Sequence, residues 1–191
     1  MLTENYKIRL QELAGIEKKI IAYHGTPHEF DKFKLQKSGS QNNAGDFGRG
    51  IYFSTDKKVA ETYANDSNGF ILTVELSVKN PYAIDYEKYS SYKTKQEKGE
   101  IDRNLINPEV QKYIDVLKSG GADFGLSDVK NQETRAIDFL SISDNFGAKE
   151  ISKCLEKEGY DAIIIKYGSG DEIVVFDDNQ TKITKREKLN E

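Results

Sequence analysis

Ala22-Tyr23-His24-Gly25-Thr26 closes a short apolar run. It is followed by Gly48-Arg49-Gly50-Ile51-Tyr52-Phe53-Ser54 and, far downstream, by Asp171-Glu172-Ile173-Val174-Val175-Phe176-Asp177. Each segment sets a few β-branched or aromatic residues beside glycine or a polar residue, the pattern of a short strand entering or leaving a turn. A histidine, a tyrosine and a glutamate thus fall in or next to strands that three distant parts of the chain contribute.

Working outward, Ile20 to Tyr23 predicts one strand, the polar Gly-rich stretch from Ser38 to Gly50 a loop, and Ile51 to Phe53 the next strand. Asp56 is placed to cap a helix running to about Asn65, with Val59, Ala60, Tyr63 and Ala64 on its apolar face. Leu72, Val74, Leu76 and Val78 alternate with polar residues, the clearest strand in the chain, ended by Asn80-Pro81. From about Asp85 to Phe146 the sequence turns polar, with helical spacing at Val110, Ile114, Leu117 and at Ile137, Leu140, and reads as a helical and looped insertion. Ile151, Cys154 and Leu155 predict a helix ended by Gly159. Ala162 to Ile165, Glu172 to Phe176 and Thr181 to Thr184 give three more short strands. At the other end, Leu2, Tyr6, Leu10, Leu13 and Ile16 recur at helical steps, so residues 1–19 predict an N-terminal helix flanking the core. Strands and helices in this order make an α+β fold, and nothing in residues 1–191 divides it into two domains.

Composition bounds the function classes. The 191 residues are 37% hydrophobic and 10% aromatic, enough to bury a sizeable core. A net charge of -4 gives no bulk attraction to nucleic acid, although a local basic groove is compatible with it. The single cysteine, Cys154, has no intramolecular partner and sits in an apolar helical pattern, the place of a small buried hydrophobe. No stretch reaches the roughly 18 apolar residues of a membrane span, and the N-terminus lacks the apolar core of a secretory signal. The expectation is a cytoplasmic protein with no membrane partner, export into another cell remaining open.

Both histidines lie in His24-Gly25-Thr26-Pro27-His28. No carboxylate or thiol cluster completes a metal shell around that pair, so no metal is expected. On its own, His24 reads as a hydrogen-bonded histidine at a strand end, Tyr63 as a core aromatic, and Glu172 as the outward first residue of a buried strand. The glycines of Gly45-Asp46-Phe47-Gly48-Arg49-Gly50 precede a strand instead of joining a strand to a helix, so neither a Rossmann loop nor a P-loop is indicated. They fit a turn, or a backbone that approaches a ligand closely.

Taken together, Tyr23-His24-Gly25-Thr26, Gly48-x-Gly50-Ile51-Tyr52-Phe53-Ser54, Tyr63 and Glu172 to Asp177 resemble the H-Y-E branch of the ADP-ribosyltransferases, which includes poly(ADP-ribose) polymerases and diphtheria-type toxins. The run from His24 to Phe33 also resembles phage- and mobile-element-associated members. The likeness covers roughly residues 20 to 80 and 148 to 185 and leaves the middle unmatched. It implies a split antiparallel sheet forming a cleft for NAD as co-substrate, bounded by His24, Gly25, Thr26, Gly50, Tyr52, Phe53 and Tyr63. His24 would bond the adenosine ribose, the Gly25 backbone the nicotinamide carboxamide, and Tyr52 and Tyr63 would sandwich the nicotinamide ring. Glu172 would be the catalytic carboxylate, with His24 and Tyr52 beside it.

Two positions narrow the branch. Arginine-modifying relatives carry a Glu or Gln two residues before the catalytic Glu, where this chain has Gly170. Polymerase-type enzymes usually carry a serine eight residues after the tyrosine, where it has Ala60. The resemblance therefore implies a mono-ADP-ribosyltransferase acting on a macromolecular acceptor, protein or nucleic acid, in the role of a toxin or phage-conflict effector with a neutralising antitoxin as partner. Two alternatives stay open: an NAD glycohydrolase, with water as acceptor, and a non-catalytic module that keeps the fold for binding. The insertion is the candidate for target recognition, or else a solvated helical cover.

Overall fold

Leu72, Val74, Leu76 and Val78 are fully buried while Thr73, Glu75 and Ser77 face partly outward, so the period-two pattern does form a strand with one face in the core. It is the third of seven in a computed structural model that describes residues 18–37, 46–64, 69–123 and 137–189. The strands are β1 (Lys18–Thr26), β2 (Ile51–Ser54), β3 (Phe70–Val78), β4 (Pro81–Asp85), β5 (Ala162–Lys166), β6 (Asp171–Val175) and β7 (Thr181–Lys188), joined in the order β4-β5-β6-β2-β1-β3-β7. Every neighbouring pair is antiparallel except β4 and β5, which run parallel at one edge of the sheet.

The sheet has a seam. All of β1 from Lys18 to Thr26 pairs with β3, yet β1 meets β2 at one position, Tyr23 opposite Ser54. Two blocks, β4-β5-β6-β2 and β1-β3-β7, therefore diverge from a narrow join, which is the physical content of a split sheet.

Five helices complete the described residues: α1 (Lys57–Thr62), α2 (Tyr86–Glu97), α3 (Pro108–Ser119), α4 (Phe139–Phe146) and α5 (Ala148–Lys157). Their starts follow from capping chemistry. Asp56 accepts from the Lys58 N–H at 2.9 Å and Asp85 from the Lys88 N–H at 3.0 Å. Asn107 caps α3 ahead of Pro108, and Asp138 and Ser141 form a capping box on α4. Gly159, at φ 85°, follows α5 in the left-handed conformation expected there. No described helix is long and apolar enough to cross a membrane.

One apolar cluster packs Val110, Tyr113, Ile114, Leu117, Phe139, Ile142, Ile151 and Leu155 onto Ile163, Ile165 and Val174 of the larger block. The opposite face holds Phe33, Phe53, Ile173 and Val175 with Ala22, Leu72 and Val74. A third, smaller cluster seats Ala60 and Ala64 against Ile71, with Tyr23 beside them. Cys154 is buried.

Several boundaries differ from those read in the sequence. The helix after Asp56 ends at Thr62, and its C-cap is Tyr63. Only Ala60 and Ala64 of its supposed apolar face are buried; Val59 and Tyr63 are exposed. Strand β4, just ahead of the insertion, and the polar α2 that opens the insertion have no separate signal in the sequence. Of the helix predicted over residues 1–19, Lys18 and Lys19 belong instead to β1, while residues 1–17, residues 38–45 of the glycine-rich loop and Asn65 lie outside the described residues.

Candidate active site

Glu172 is the second residue of β6, opposite Ser54 of β2 and Ile165 of β5. Successive strand side chains alternate between faces, and Tyr52 pairs with Val174, so Tyr52, Ser54, Val174 and Glu172 share one face. The opposite-facing residues Ile51, Phe53, Ile173 and Val175 are buried in the core. The backbone around Glu172 is held across the strand ends: the Thr55 N–H donates to the Asp171 carbonyl at 2.8 Å, and the Asp171 N–H donates to Thr55 Oγ1 at 2.7 Å.

The Glu172 side chain is half-buried, and its Oε2 accepts from the Tyr167 hydroxyl at 3.5 Å. Burial, together with the negative charge of Asp46, pushes its carboxyl up to about 7; the Tyr167 hydrogen bond opposes that rise. Tyr52 is anchored to the chain just before its own strand, where its hydroxyl donates to the Gly48 carbonyl at 2.6 Å and accepts from the Phe47 N–H at 3.3 Å. Burial is the main reason its phenol stays protonated, and Glu172 adds to the effect. A carboxyl that titrates near neutrality beside fixed phenols is suited to stabilising a developing cation when ionised and to taking a proton from a hydroxyl.

His24 belongs to the opposite face. Its ring lies among Phe33 (5.0 Å between centroids), Phe53 (5.6 Å) and Phe30 (6.3 Å). It reaches the site by spanning the seam, because Nδ1 is 2.8 Å from the Tyr52 carbonyl. A carbonyl can only accept, so Nδ1 carries the proton. Burial holds the imidazole below its usual range and hence neutral at pH 7, which leaves Nε2 as a hydrogen-bond acceptor.

The remaining residues implied by the resemblance divide by role. Tyr63 is 60% exposed, which corrects the reading of it as core and leaves its ring open to a planar partner. Gly25 has a packing reason to be glycine, since a Cβ there would run into the Ala60 carbonyl of α1. Gly50 is similar: its Cβ would meet Val174 and the Val175 carbonyl, 2.7 Å away in the latter case. The Thr26 hydroxyl is engaged in its own turn, accepting from the His28 N–H at 3.1 Å, and Phe53 is buried beside His24. Gly25 shares the Tyr52 face through the pairing of Tyr23 with Ser54, whereas His24, Thr26 and Phe53 do not. His28, the other half of the H-x3-H pair, is exposed, and the described residues contain no group of three or more His, Cys, Asp or Glu placed to hold a metal.

Three residues of the site escaped the sequence reading: Asp46, Tyr167 and Tyr86. For Tyr167 the one signal in the sequence is a tyrosine five residues before Glu172, in the turn between β5 and β6. Asp46 lay in a glycine-rich loop, and Tyr86 in a polar stretch without apolar periodicity.

A split sheet in an α+β architecture, with His24, Tyr52 and Glu172 gathered at the join, has the form of an ADP-ribosyltransferase fold. Residues 18–190 match the family described as ADP-ribosyltransferase in polyvalent proteins, and the chain belongs to that family. No curated protein matches it. Among solved structures, an anti-CRISPR protein is 13% identical at a TM-score of 0.38, with 90% of this chain and 96% of that one covered. The MbcT-MbcA toxin-antitoxin complex of M. tuberculosis is 11% identical at a TM-score of 0.43, covering 95% and 91%. Likenesses this loose carry no functional argument.

Proposed function

We propose that the chain is a mono-ADP-ribosyltransferase of the H-Y-E type, which takes NAD as co-substrate, releases nicotinamide and transfers ADP-ribose to a macromolecular acceptor, protein or nucleic acid. The observation that carries this reading is the Glu172 carboxyl, half-buried on the Tyr52 face beside the Tyr167 hydroxyl, where burial pushes it up to about 7.

Breaking the bond between ribose C1′ and nicotinamide sends the bonding pair to the leaving ring, which departs neutral, and leaves an oxocarbenium-like ribose. An ionised Glu172 stabilises that cation more than it stabilises the ground state. When an acceptor hydroxyl or amine then bonds to C1′, the proton it sheds goes to the same carboxylate. His24 offers a neutral Nε2 to a ribose hydroxyl, and Tyr52 and the exposed ring of Tyr63 supply the flat surfaces that a nicotinamide ring stacks on.

Glu172→Gln keeps the shape but not the charge. It should leave NAD binding nearly intact and lower transfer by two or more orders of magnitude, about 3 kcal/mol or more in the barrier. Incubation of the protein with labelled NAD and cell extract, followed by protease or nuclease on separate samples, identifies the acceptor class. Label that resists capture by any macromolecule while NAD disappears would replace transfer by hydrolysis, and NAD that neither disappears nor raises the melting temperature would leave a binding module.

Unregulated consumption of NAD or modification of a cell component harms the cell that makes the enzyme. We therefore read the role as that of a cytoplasmic toxin or phage-conflict effector, matched by a neutralising partner. Expression should arrest growth with wild-type protein and not with Glu172→Gln; equal growth of both would remove the toxin reading.

A further inference from the structure

We propose that Tyr167 is the positioning residue for the Glu172 carboxyl and is itself held by the start of α2, so that the helical cover sets the geometry of the reactive group. The inference rests on the reading of Glu172 as the reactive carboxylate.

The two exchanges between Thr55 and Asp171 fix the main chain at the start of β6. What remains free at Glu172 is the side chain, with three rotatable bonds. The Tyr167 hydroxyl, at 3.5 Å from Oε2, restrains that freedom. The distance is long for an O–H···O bond, and contacts of this kind commonly tighten when substrate closes a site.

Tyr167 does not stand alone. Its ring packs at 4.6 Å against Tyr86, Tyr86 at 5.1 Å against Tyr89, and Tyr89 at 5.0 Å against Phe139, so a row of aromatics runs from Glu172 into the buried core. Tyr89 and Phe139 are buried, which makes the inner end of the row rigid. The next residue, Gly168, takes φ 79° and packs so closely on Glu87 that a side chain there would run into its carboxylate. The turn carrying Tyr167 is thus pressed on α2 at two adjoining residues, Tyr86 and Glu87. The other titratable groups acting on Glu172 are Asp46, from the loop before β2, and Tyr52, from β2 itself.

Tyr167→Phe removes the hydroxyl and keeps the ring stack. Carbon-13 NMR of Glu-labelled protein without NAD, with the Glu172 resonance assigned by its loss in Glu172→Gln, should show the carboxyl titrating about half a pH unit higher in Tyr167→Phe. The acidic limb of kcat/KM should move by the same amount, with kcat falling several-fold and KM for NAD changing less than twofold. Tyr86→Leu, which leaves the Tyr167 hydroxyl in place and removes the ring packed on it, should move both readouts the same way, and adding it to Tyr167→Phe should give little more. A folded Tyr167→Phe protein with Glu172 titrating as in wild type overturns the contact. Fully additive effects overturn the support from α2. Full NAD turnover by Glu172→Gln would instead sink the functional assignment, and the titration would still decide whether Tyr167 governs the carboxyl.

Discussion

If Glu172 is the reactive carboxylate proposed above, it pulls stability and activity in opposite directions. Folding favours its acid form, because burial and the Asp46 charge raise it from the ordinary value of 4.5 to about 7. Its contribution to stability is therefore fully present below pH 4.5, declines as pH rises and is lost above about 7. Complete ionisation costs at most about 3 kcal/mol, and less where water reaches the half-buried carboxyl. Glu172→Gln cannot ionise, so thermal melts should show it more stable than wild type at pH 8 and no different at pH 4. In the proposed mechanism, where the carboxylate is the reactive form, activity runs the other way: kcat/KM should climb through about pH 7 and level off above it. Asp46→Asn removes a negative charge that raises Glu172, so it should shift that climb to lower pH, opposite in sign to Tyr167→Phe. A climb that stays put in Asp46→Asn would mean that the loop before β2 exerts no field on the site.

Helix α1 shows how one element serves both packing and the site. Its Ala60, and Ala64 just past its end, are small and buried against β1 and β3, and the helix approaches so closely that Gly25 has no room for a side chain. Gly25→Ala should push α1 off the sheet and cost about 1–3 kcal/mol, measured by chemical denaturation. NAD affinity should drop with it, because Tyr63 caps that helix. An unchanged denaturation midpoint would show that the helix shifts at little cost. Element boundaries were legible where packing imposes a period, as in β3 and in the helix before Gly159. They were hidden elsewhere for identifiable reasons. Pro81 reads as a strand stop, yet it opens β4, an edge strand in which a missing N–H is tolerated. Along α2 only Tyr89 and Gln96 are buried, too few to print a periodicity. Strand β7, expected over Thr181 to Thr184, runs on to Lys188, and its end, Lys185-Arg186-Glu187-Lys188, is the charged outer edge of the sheet, where such residues discourage pairing with another chain.

Across the whole molecule, the join between the two strand blocks organises everything else. Tyr23 opposite Ser54 is the only β1–β2 pair, and His24 bridges the same gap to the Tyr52 carbonyl through Nδ1, so the histidine braces the seam. The sequence disclosed the three strands that bring His24, Tyr52 and Glu172 together, because each carries a local motif. It could not disclose that His24 faces away from the other two, nor that Asp46, Tyr86 and Tyr167 join them, because those relations depend on register and on contacts between distant segments. The central claim is that Glu172 breaks the nicotinamide–ribose bond of NAD. Nicotinamide release by the purified protein, wild type against Glu172→Gln, tests it most directly, with the NAD-induced rise in melting temperature as the measure of binding in both. Release that falls at least a hundredfold while the thermal shift persists is the predicted result. Equal release from the two proteins, or none from wild type despite bound NAD, would contradict it.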